Sequence, residues 1–255
     1  MKCPSAADVL ARLPFASPLL ERLSVGPGPT AWTIADLSSS PWLAERRDAA
    51  KRRWKVDSDR TAGRLWWYSA SYLLVGSALL TSLDSSHAVV GSPPGQVWLR
   101  EFGYLDRFQP QRVVAPPELP LALTELLTPV IEALAPVADT TGRALWAVAG
   151  DVPTMAVREA ITAGRSPESA WPQLVAFHRR WRELAPLPRL RTVDVSPAGV
   201  RTVAEDTPTR PPARRSALRN SCCLLLEVPG SRCCTTCPRQ TPAVREARWV
   251  SSLEA

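Results

Sequence analysis

Five of the six cysteines in this 255-residue chain lie within one short segment near its C-terminal end. Cys222 and Cys223 are adjacent, Cys234 and Cys237 complete the pattern C-C-x10-C-x2-C, and Cys233 adds a fifth thiol. Thiolates at such short intervals are typical ligands of zinc and of iron–sulfur clusters. This segment therefore constrains both the local path of the backbone and the chemistry that the chain can support.

Other roles for these cysteines explain the pattern less well. Structural disulfides usually join distant elements of small secreted proteins, whereas here the sixth cysteine, Cys3, lies at the far end of the chain. Cysteines can also be small buried hydrophobic residues. That role suits Cys3 and Cys233, but it does not account for five cysteines between positions 222 and 237.

The spacing of the cysteines alone does not distinguish a zinc site from an iron–sulfur cluster. Zinc sites with four cysteines usually present two C-x2-C turns, and Cys234–Cys237 forms one whereas Cys222–Cys223 does not. Neighbouring side chains of a strand point to opposite faces, so these two thiols converge only where the backbone leaves the strand. The same requirement applies to an iron–sulfur cluster.

The stretch from Arg219 to Pro238 resembles the C-terminal signature of the FhuF-type ferric-siderophore reductases. The matching residues are Arg219-Asn-Ser-Cys222-Cys223-Leu224, Pro229-Gly230 and Cys234-Thr-Thr-Cys237-Pro238. The resemblance implies a [2Fe–2S] cluster bound by Cys222, Cys223, Cys234 and Cys237. It also implies one-electron reduction of a ferric siderophore, with no catalytic residue beyond the cluster. Cys233, beside Cys234, departs from the signature and leaves the register of the ligands open.

The net charge of the chain gives information about its binding partners rather than about its fold. The chain carries a formal net charge of +7. From Arg201 onward nine arginines outnumber five acidic residues (9 − 5 = +4). This charge would either attract an acidic electron donor or only keep the lobe soluble. We expect that donor to be a ferredoxin or a flavin reductase. The basic run 45–53 favours a solvated helix face, no helix-turn-helix is evident, and no nucleic acid is expected as a partner.

Two other classes of function share the same cysteines. A zinc-stabilised interaction module would use the thiolates structurally, and an iron–sulfur redox sensor would couple a cluster to a regulatory surface. Zinc is spectroscopically silent, whereas an oxidised iron–sulfur protein is coloured. A cluster-dependent change in DNA binding would favour the sensor.

We expect a cytoplasmic protein, located at most peripherally on the inner face of the membrane and without stable membrane insertion. The first residues lack the apolar core of a secretion signal, and the cytoplasm keeps thiols reduced. The most apolar stretch, Leu65–Leu83, is long enough to cross a bilayer. Its repeated serines and threonines favour a buried helix instead.

The overall pattern predicts an α+β protein: a helix-rich body, 1–204, with a small antiparallel sheet, followed by a cysteine-bearing lobe, 205–255. The predicted helices cover 5–13, 17–25, 41–54, a long helix capped by Asp59, 118–135, 141–163, 167–184 and 242–252. The predicted strands lie within 88–114, as a hairpin in 191–203, and at 222–228. The proline-rich stretch 205–215 is predicted to be an irregular connection.

Aromatic and basic residues supply candidates for a siderophore pocket. They are Trp66, Trp67, Tyr68 and Tyr72 in the body, and Trp171, His178, Arg179 and Trp181 in a later helix. Aromatic residues at helical spacing are more often part of a core. We therefore assign none of them to catalysis, and His178 is expected at the surface beside two arginines.

Overall fold

Helices dominate the computed structural model, which describes residues 4–13, 17–23, 32–207, 209 and 213–251. Cys3, Val25, Ser252 and part of the 205–215 connection lie outside the described residues. The α-helices are α1 (Ala6–Leu10), α2 (Ser40–Trp54), α3 (Asp59–Ser71), α4 (Ser77–Asp84), α5 (Leu119–Val137), α6 (Gly142–Thr162), α7 (Pro167–Leu184) and α8 (Pro242–Ser251).

Within the described residues, the strands form three small antiparallel sheets. They are β1 (Trp32–Thr33), β2 (Ala88–Val90), β3 (Gln96–Leu99), β4 (Leu105–Phe108), β5 (Arg112–Val114), β6 (Arg191–Ser196), β7 (Gly199–Val203) and β8 (Arg214–Leu218). The sheet orders are β1-β3-β4, β2-β5 and β7-β6-β8. The protein is thus α+β and mainly helical, as the sequence predicts.

The main core lies where α3, α5, α6 and α7 pack together. Trp66, Trp67 and Trp181 are among its largest fully buried side chains, together with several leucines. Trp67 Nε1 donates to the carbonyl of Leu145, and Trp181 Nε1 donates to Thr124 Oγ1. Buried indole N–H groups usually require such a partner, so these hydrogen bonds allow both tryptophans to be fully buried.

The apolar stretch Leu65–Leu83 is largely buried and helical throughout, as predicted, but one turn within it is not α-helical. A π-helical turn, Tyr72–Gly76, separates α3 from α4. Ser77 Oγ donates to the carbonyl of Leu73 at 2.5 Å, and Thr81 Oγ1 donates to the carbonyl of Ala78 at 2.9 Å. Hydroxyl groups are therefore compatible with this core because the helix backbone accepts their hydrogen bonds.

A second segment is, by length and composition, long and apolar enough to cross a membrane. Pro116–Val137, which contains α5, has a mean hydropathy of 1.3 over its most apolar window. Core helices of soluble proteins can have the same length and composition. Leu123, Leu127 and Ile131 of this helix are buried in the main core.

Several local predictions are wrong. Ser58, not Asp59, caps α3, because its hydroxyl accepts a hydrogen bond from the Thr61 N–H. The second N-terminal helix is reduced to a single 3-10 turn, Leu20–Arg22. The predicted strand 222–228 is absent, and its place is taken by irregular chain and a 3-10 turn, Leu225–Glu227. The 205–215 connection ends in a strand, since β8 begins at Arg214.

The sheet β7-β6-β8 combines strands from both sides of the predicted boundary at 204/205. Five residue pairs join β6 to β8 in antiparallel register, from Arg191↔Leu218 to Val195↔Arg214. Arg215 Nε donates to Asp194 Oδ1 across this pair at 2.6 Å, and both side chains are buried. The division into two domains stays a prediction.

Close packing of α3 against the end of α5 yields the first prediction. A Cβ atom added to Gly63 would collide with the Cβ of Ala138. We expect Gly63→Ala to lower the free energy of unfolding by about 1–3 kcal/mol, as overpacking usually does. Urea denaturation measures this change.

Gly142→Ala is the matched control, because its Cβ would lie 3.5 Å from Ile131 Cγ2, an ordinary contact. It should be neutral or stabilising by up to about 1 kcal/mol, since alanine favours the helix. Equal stability of the two variants would contradict the described packing.

Candidate metal centre

The backbone at the adjacent cysteines turns sharply. Cys222 and Cys223 lie in irregular chain, and Leu224 adopts the left-handed conformation with φ 64° and ψ 13°. This conformation is uncommon for a leucine. The Leu224 N–H donates to Cys222 Sγ at 3.4 Å. The chain therefore leaves extended geometry where two neighbouring thiols would otherwise diverge.

The second cysteine group forms the turn predicted from its C-x2-C spacing. The Cys237 N–H donates to the carbonyl of Cys234 at 3.0 Å, and the Gln240 N–H donates to the carbonyl of Cys237 at 3.2 Å. The Gln240 side-chain amide also donates to the Cys234 carbonyl at 2.5 Å. Arg248 of α8 donates to the carbonyl of Cys233 at 3.2 Å. The last helix thus helps to hold this turn.

Folding brings the four predicted ligands together as two thiol pairs. Cys222 Sγ lies 3.9 Å from Cys237 Sγ, and the Cys223 and Cys234 thiols are hydrogen-bonded to each other. Cys233 is hydrogen-bonded to Cys237, outside both pairs. None of these five cysteines forms a disulfide. Within the described ranges, no three His, Cys, Asp or Glu side chains are placed to hold a single metal ion.

The two pairs differ in their electrostatics. The hydrogen bond from Cys234 lowers the pKa of Cys223 to about 5 despite burial, with the Leu225 N–H and Arg219 contributing. The same hydrogen bond and burial raise the pKa of Cys234. Burial raises the pKa of Cys222. Negative charge in the Cys223–Cys234 pair is therefore favoured on Cys223 rather than on Cys234.

Arg219 places a buried positive charge beside this pair. Its Nη1 donates to Cys234 Sγ at 3.4 Å, and its guanidinium carbon lies 5.0 Å from the centre of the Tyr68 ring. Its Nε lies 3.6 Å from Asp151 Oδ2. Only 7% of the residue is exposed. In a poorly solvated site, such a charge interacts strongly with sulfur-centred negative charge.

Asp151 of α6 organises the chain immediately before the cysteines. Its carboxylate accepts hydrogen bonds from the Asn220 N–H and the Ser221 N–H, both at 2.9 Å, and from Ser221 Oγ at 2.5 Å. Burial raises the pKa of Asp151, while these hydrogen bonds and Arg219 oppose the rise. Sequence reasoning missed this residue. A single carboxylate within the apolar run 144–157 was the available signal, because buried charges need partners.

Glu227, on the C-terminal side of Cys222 and Cys223, connects the cysteine segment to α3. Glu227 accepts a hydrogen bond from Thr61 Oγ1 of α3 at 2.5 Å and pairs with Arg239 at 3.0 Å. The Cys222–Cys223 loop is thus held between α6 at one end and α3 at the other.

The candidate pocket residues separate into two groups. Tyr68, Trp171 and Arg179 line a cleft that reaches Cys234. Of the other candidates, Trp66, Trp67 and Trp181 are core residues, and the half-buried Tyr72 donates to Glu159. His178 is 2% exposed, so the prediction that it lies at the surface is wrong. Burial lowers its pKa to about 4, and its ring is neutral at neutral pH.

The cleft runs between α6 and α7 on one side and the sheet β7-β6-β8 on the other, with a volume of about 1230 Å³. Met155, Trp171 and Val175 supply apolar surface, and Arg158 and Glu168 supply charge. Cys234 and Arg219 also contribute to its lining. The cleft and the candidate metal centre are therefore contiguous.

The central position of Asp151 yields a second prediction. Asp151→Asn removes the counterion of a buried arginine, and breaking a buried pair costs about 3–5 kcal/mol. We expect a loss of this order in the free energy of unfolding. We also expect faster labelling of the buried Cys223 thiol by Ellman's reagent.

Asp48→Asn serves as the control, because Asp48 is half exposed in its pair with Arg47. Exposed pairs contribute at most about 1 kcal/mol. Small and equal effects of the two substitutions would show that Asp151 does not anchor the loop.

Comparison with protein-family models finds no match to this chain, and comparison with curated proteins finds no significant similarity. The resemblance of Arg219–Pro238 to FhuF-type reductases stays a prediction, and so do the function and the ligand set that it implies.

Proposed function

We propose that the protein is a ferric-siderophore reductase that binds a [2Fe–2S] cluster through Cys222, Cys223, Cys234 and Cys237. The observation that carries the proposal is the arrangement of these thiols in two pairs, Cys222 with Cys237 and Cys223 with Cys234. A two-iron cluster takes two protein ligands on each iron. The paired arrangement is therefore compatible with the donor set that such a cluster needs.

The geometry of one pair supports this donor set. Two sulfurs bound to one metal in tetrahedral geometry, with bonds of about 2.3 Å, are about 3.8 Å apart. The Sγ atoms of Cys222 and Cys237 are separated by 3.9 Å. This pair can therefore accept a tetrahedral metal with little rearrangement.

Cys233 is left out of the proposed ligand set. Its thiol contacts Cys237, which already pairs with Cys222, whereas Cys234 contacts Cys223 and receives a hydrogen bond from Arg219. These contacts support the register in which Cys234 is the ligand and Cys233 is a neighbour.

When bound, a [2Fe–2S] cluster exchanges one electron, and hydrogen bonds and charge around its sulfurs tune its potential. Arg219 supplies both, and Asp151 holds Arg219 in place. Ferric siderophores bind iron through hard oxygen donors, so reduction to Fe(II) weakens the complex and releases the metal. The substrate requires one electron and no acid or base from the protein.

The experiment that tests the proposal is an absorption and EPR spectrum of the anaerobically purified protein before and after dithionite, with iron and sulfide counted. We expect visible bands that bleach, a one-electron EPR signal, and two irons and two sulfides per chain. Ferric siderophores should then reoxidise the reduced protein. A colourless protein with stoichiometric zinc would instead identify an interaction module, and a reducible cluster inert toward every ferric chelate would exclude the reductase.

Serine substitutions test the ligand register in the same assay. Cys234→Ser and Cys237→Ser should abolish the visible spectrum, whereas Cys233→Ser should preserve it. The Cys233 variant is the matched control, because it removes a thiol from the same turn. Loss of colour in Cys233→Ser with retention in Cys234→Ser would reverse the assignment.

Arg219 yields a prediction about redox potential. Arg219→Gln removes a buried positive charge beside Cys234, and the reduced, more negative centre loses more stabilisation than the oxidised one. We expect the midpoint potential to fall by roughly 60 mV, a tenfold change in the one-electron equilibrium. Spectroelectrochemical titration measures the shift.

Arg232→Gln is the control, because it removes the same charge from an exposed side chain, where solvent and salt screen it. The absorption spectra of both variants should match that of the unmodified protein. Equal shifts in the two variants would show that the net charge of the lobe, and not Arg219, sets the potential.

A further inference from the structure

The cleft between α6, α7 and the sheet β7-β6-β8 has the size of a site for a large ligand. Sites for small molecules usually have volumes of about 300–1,000 Å³, and this cleft encloses about 1230 Å³. A siderophore folded around its metal is larger than most drug-like ligands, so the volume suits it.

The lining of the cleft is mixed in a way that suits a metal chelate. Trp171, Met155 and Val175 provide apolar surface against which an organic shell can pack. Arg158 and Glu168 provide charged groups that can hydrogen-bond to polar atoms of a ligand. Apolar walls with a few polar groups are typical of ligand sites.

The cleft also meets the candidate metal centre on one side. Of the five described cysteines, Cys234 lines the cleft, whereas Cys222, Cys223, Cys233 and Cys237 do not. Arg219, which donates to Cys234 Sγ, lies at the same end. A ligand in the cleft can therefore approach the centre at Cys234, whereas Cys223 and Cys237 are buried and Cys222 and Cys233 do not line the cleft.

We propose that this cleft is the binding site for the ferric siderophore and that Cys234 is the thiol that the bound chelate approaches. The assignment of the ligand class rests on the proposed function. The assignment of the place rests on the contiguity of the cleft with Cys234 and on its lining. None of the residues that line it needs to be a catalytic residue.

Binding can be tested without electron transfer by using the gallium(III) complex of a trihydroxamate siderophore, which does not undergo reduction. Isothermal titration calorimetry of the full chain should show one site. Ala176→Trp places a bulky side chain at an exposed position of α7 that lines the cleft. We expect it to weaken binding at least tenfold.

Gln173→Trp is the matched control, because this position is also exposed on α7 but does not line the cleft. It should bind the gallium complex as the unmodified chain does. Both variants should retain the absorption spectrum of the reducible centre, which shows that the substitution acts on the cleft and not on the cysteines.

The outcomes separate this inference from the proposed function. No gallium-complex binding, or equal binding by both tryptophan variants, would overturn the cleft as the siderophore site, even in a protein with a reducible cluster. Weakened binding in Ala176→Trp alone would support the cleft, even if the purified protein proved colourless and the reductase proposal failed.

Discussion

The buried carboxylate of Asp151 is the interaction on which the candidate metal centre depends. The apolar run 144–157 of α6 carries this carboxylate into the interior, where an unpaired charge would be strongly unfavourable. Two backbone N–H groups, one hydroxyl and the Arg219 guanidinium compensate for it. All four partners belong to the three residues that immediately precede Cys222, so satisfying the carboxylate also fixes the start of the cysteine loop.

The same arrangement links the helical body to the chemistry proposed for the thiols. Arg219 contacts Asp151 on one side and Cys234 on another, and it lies over Tyr68 of α3. Its position is therefore determined by two helices rather than by the cysteine segment alone. A charge held this firmly has a constant effect on the sulfurs, which is what an electron-transfer site requires of its surroundings.

Sequence patterns predicted the helical part of the fold well, because α5, α6 and α7 each show apolar spacing over many residues and Pro41 marks the first turn of α2. They failed where tertiary contacts decide the backbone. Residues 222–228 were predicted to form a strand, but the left-handed Leu224 and the Thr61–Glu227 hydrogen bond accompany a turn instead. His178 was placed at the surface on the strength of its arginine neighbours in sequence, whereas helical periodicity directs it into the core.

The sequence predicted the cysteines of the candidate site but not the residues that hold them in place. Their close spacing predicted that the thiols would lie together, and in the structure they form two pairs. Asp151 is distant from them in sequence, and only the packing of α6 against the chain after β8 brings them together. The cleft could not be predicted from the sequence either, because no local pattern specifies how the helices and strands that line it are placed relative to one another.

The anchoring of the cysteine loop has a thermodynamic consequence for metal uptake. In many small metal-binding domains the site forms only with the metal, so part of the binding free energy is consumed in ordering the chain. Here α3 and α6 hold the loop through Thr61 and Asp151, and the ordering cost is met by the fold itself. If the thiols bind a metal as proposed, more of its intrinsic affinity would be retained as observed affinity, because less of the binding free energy would be consumed in ordering the loop.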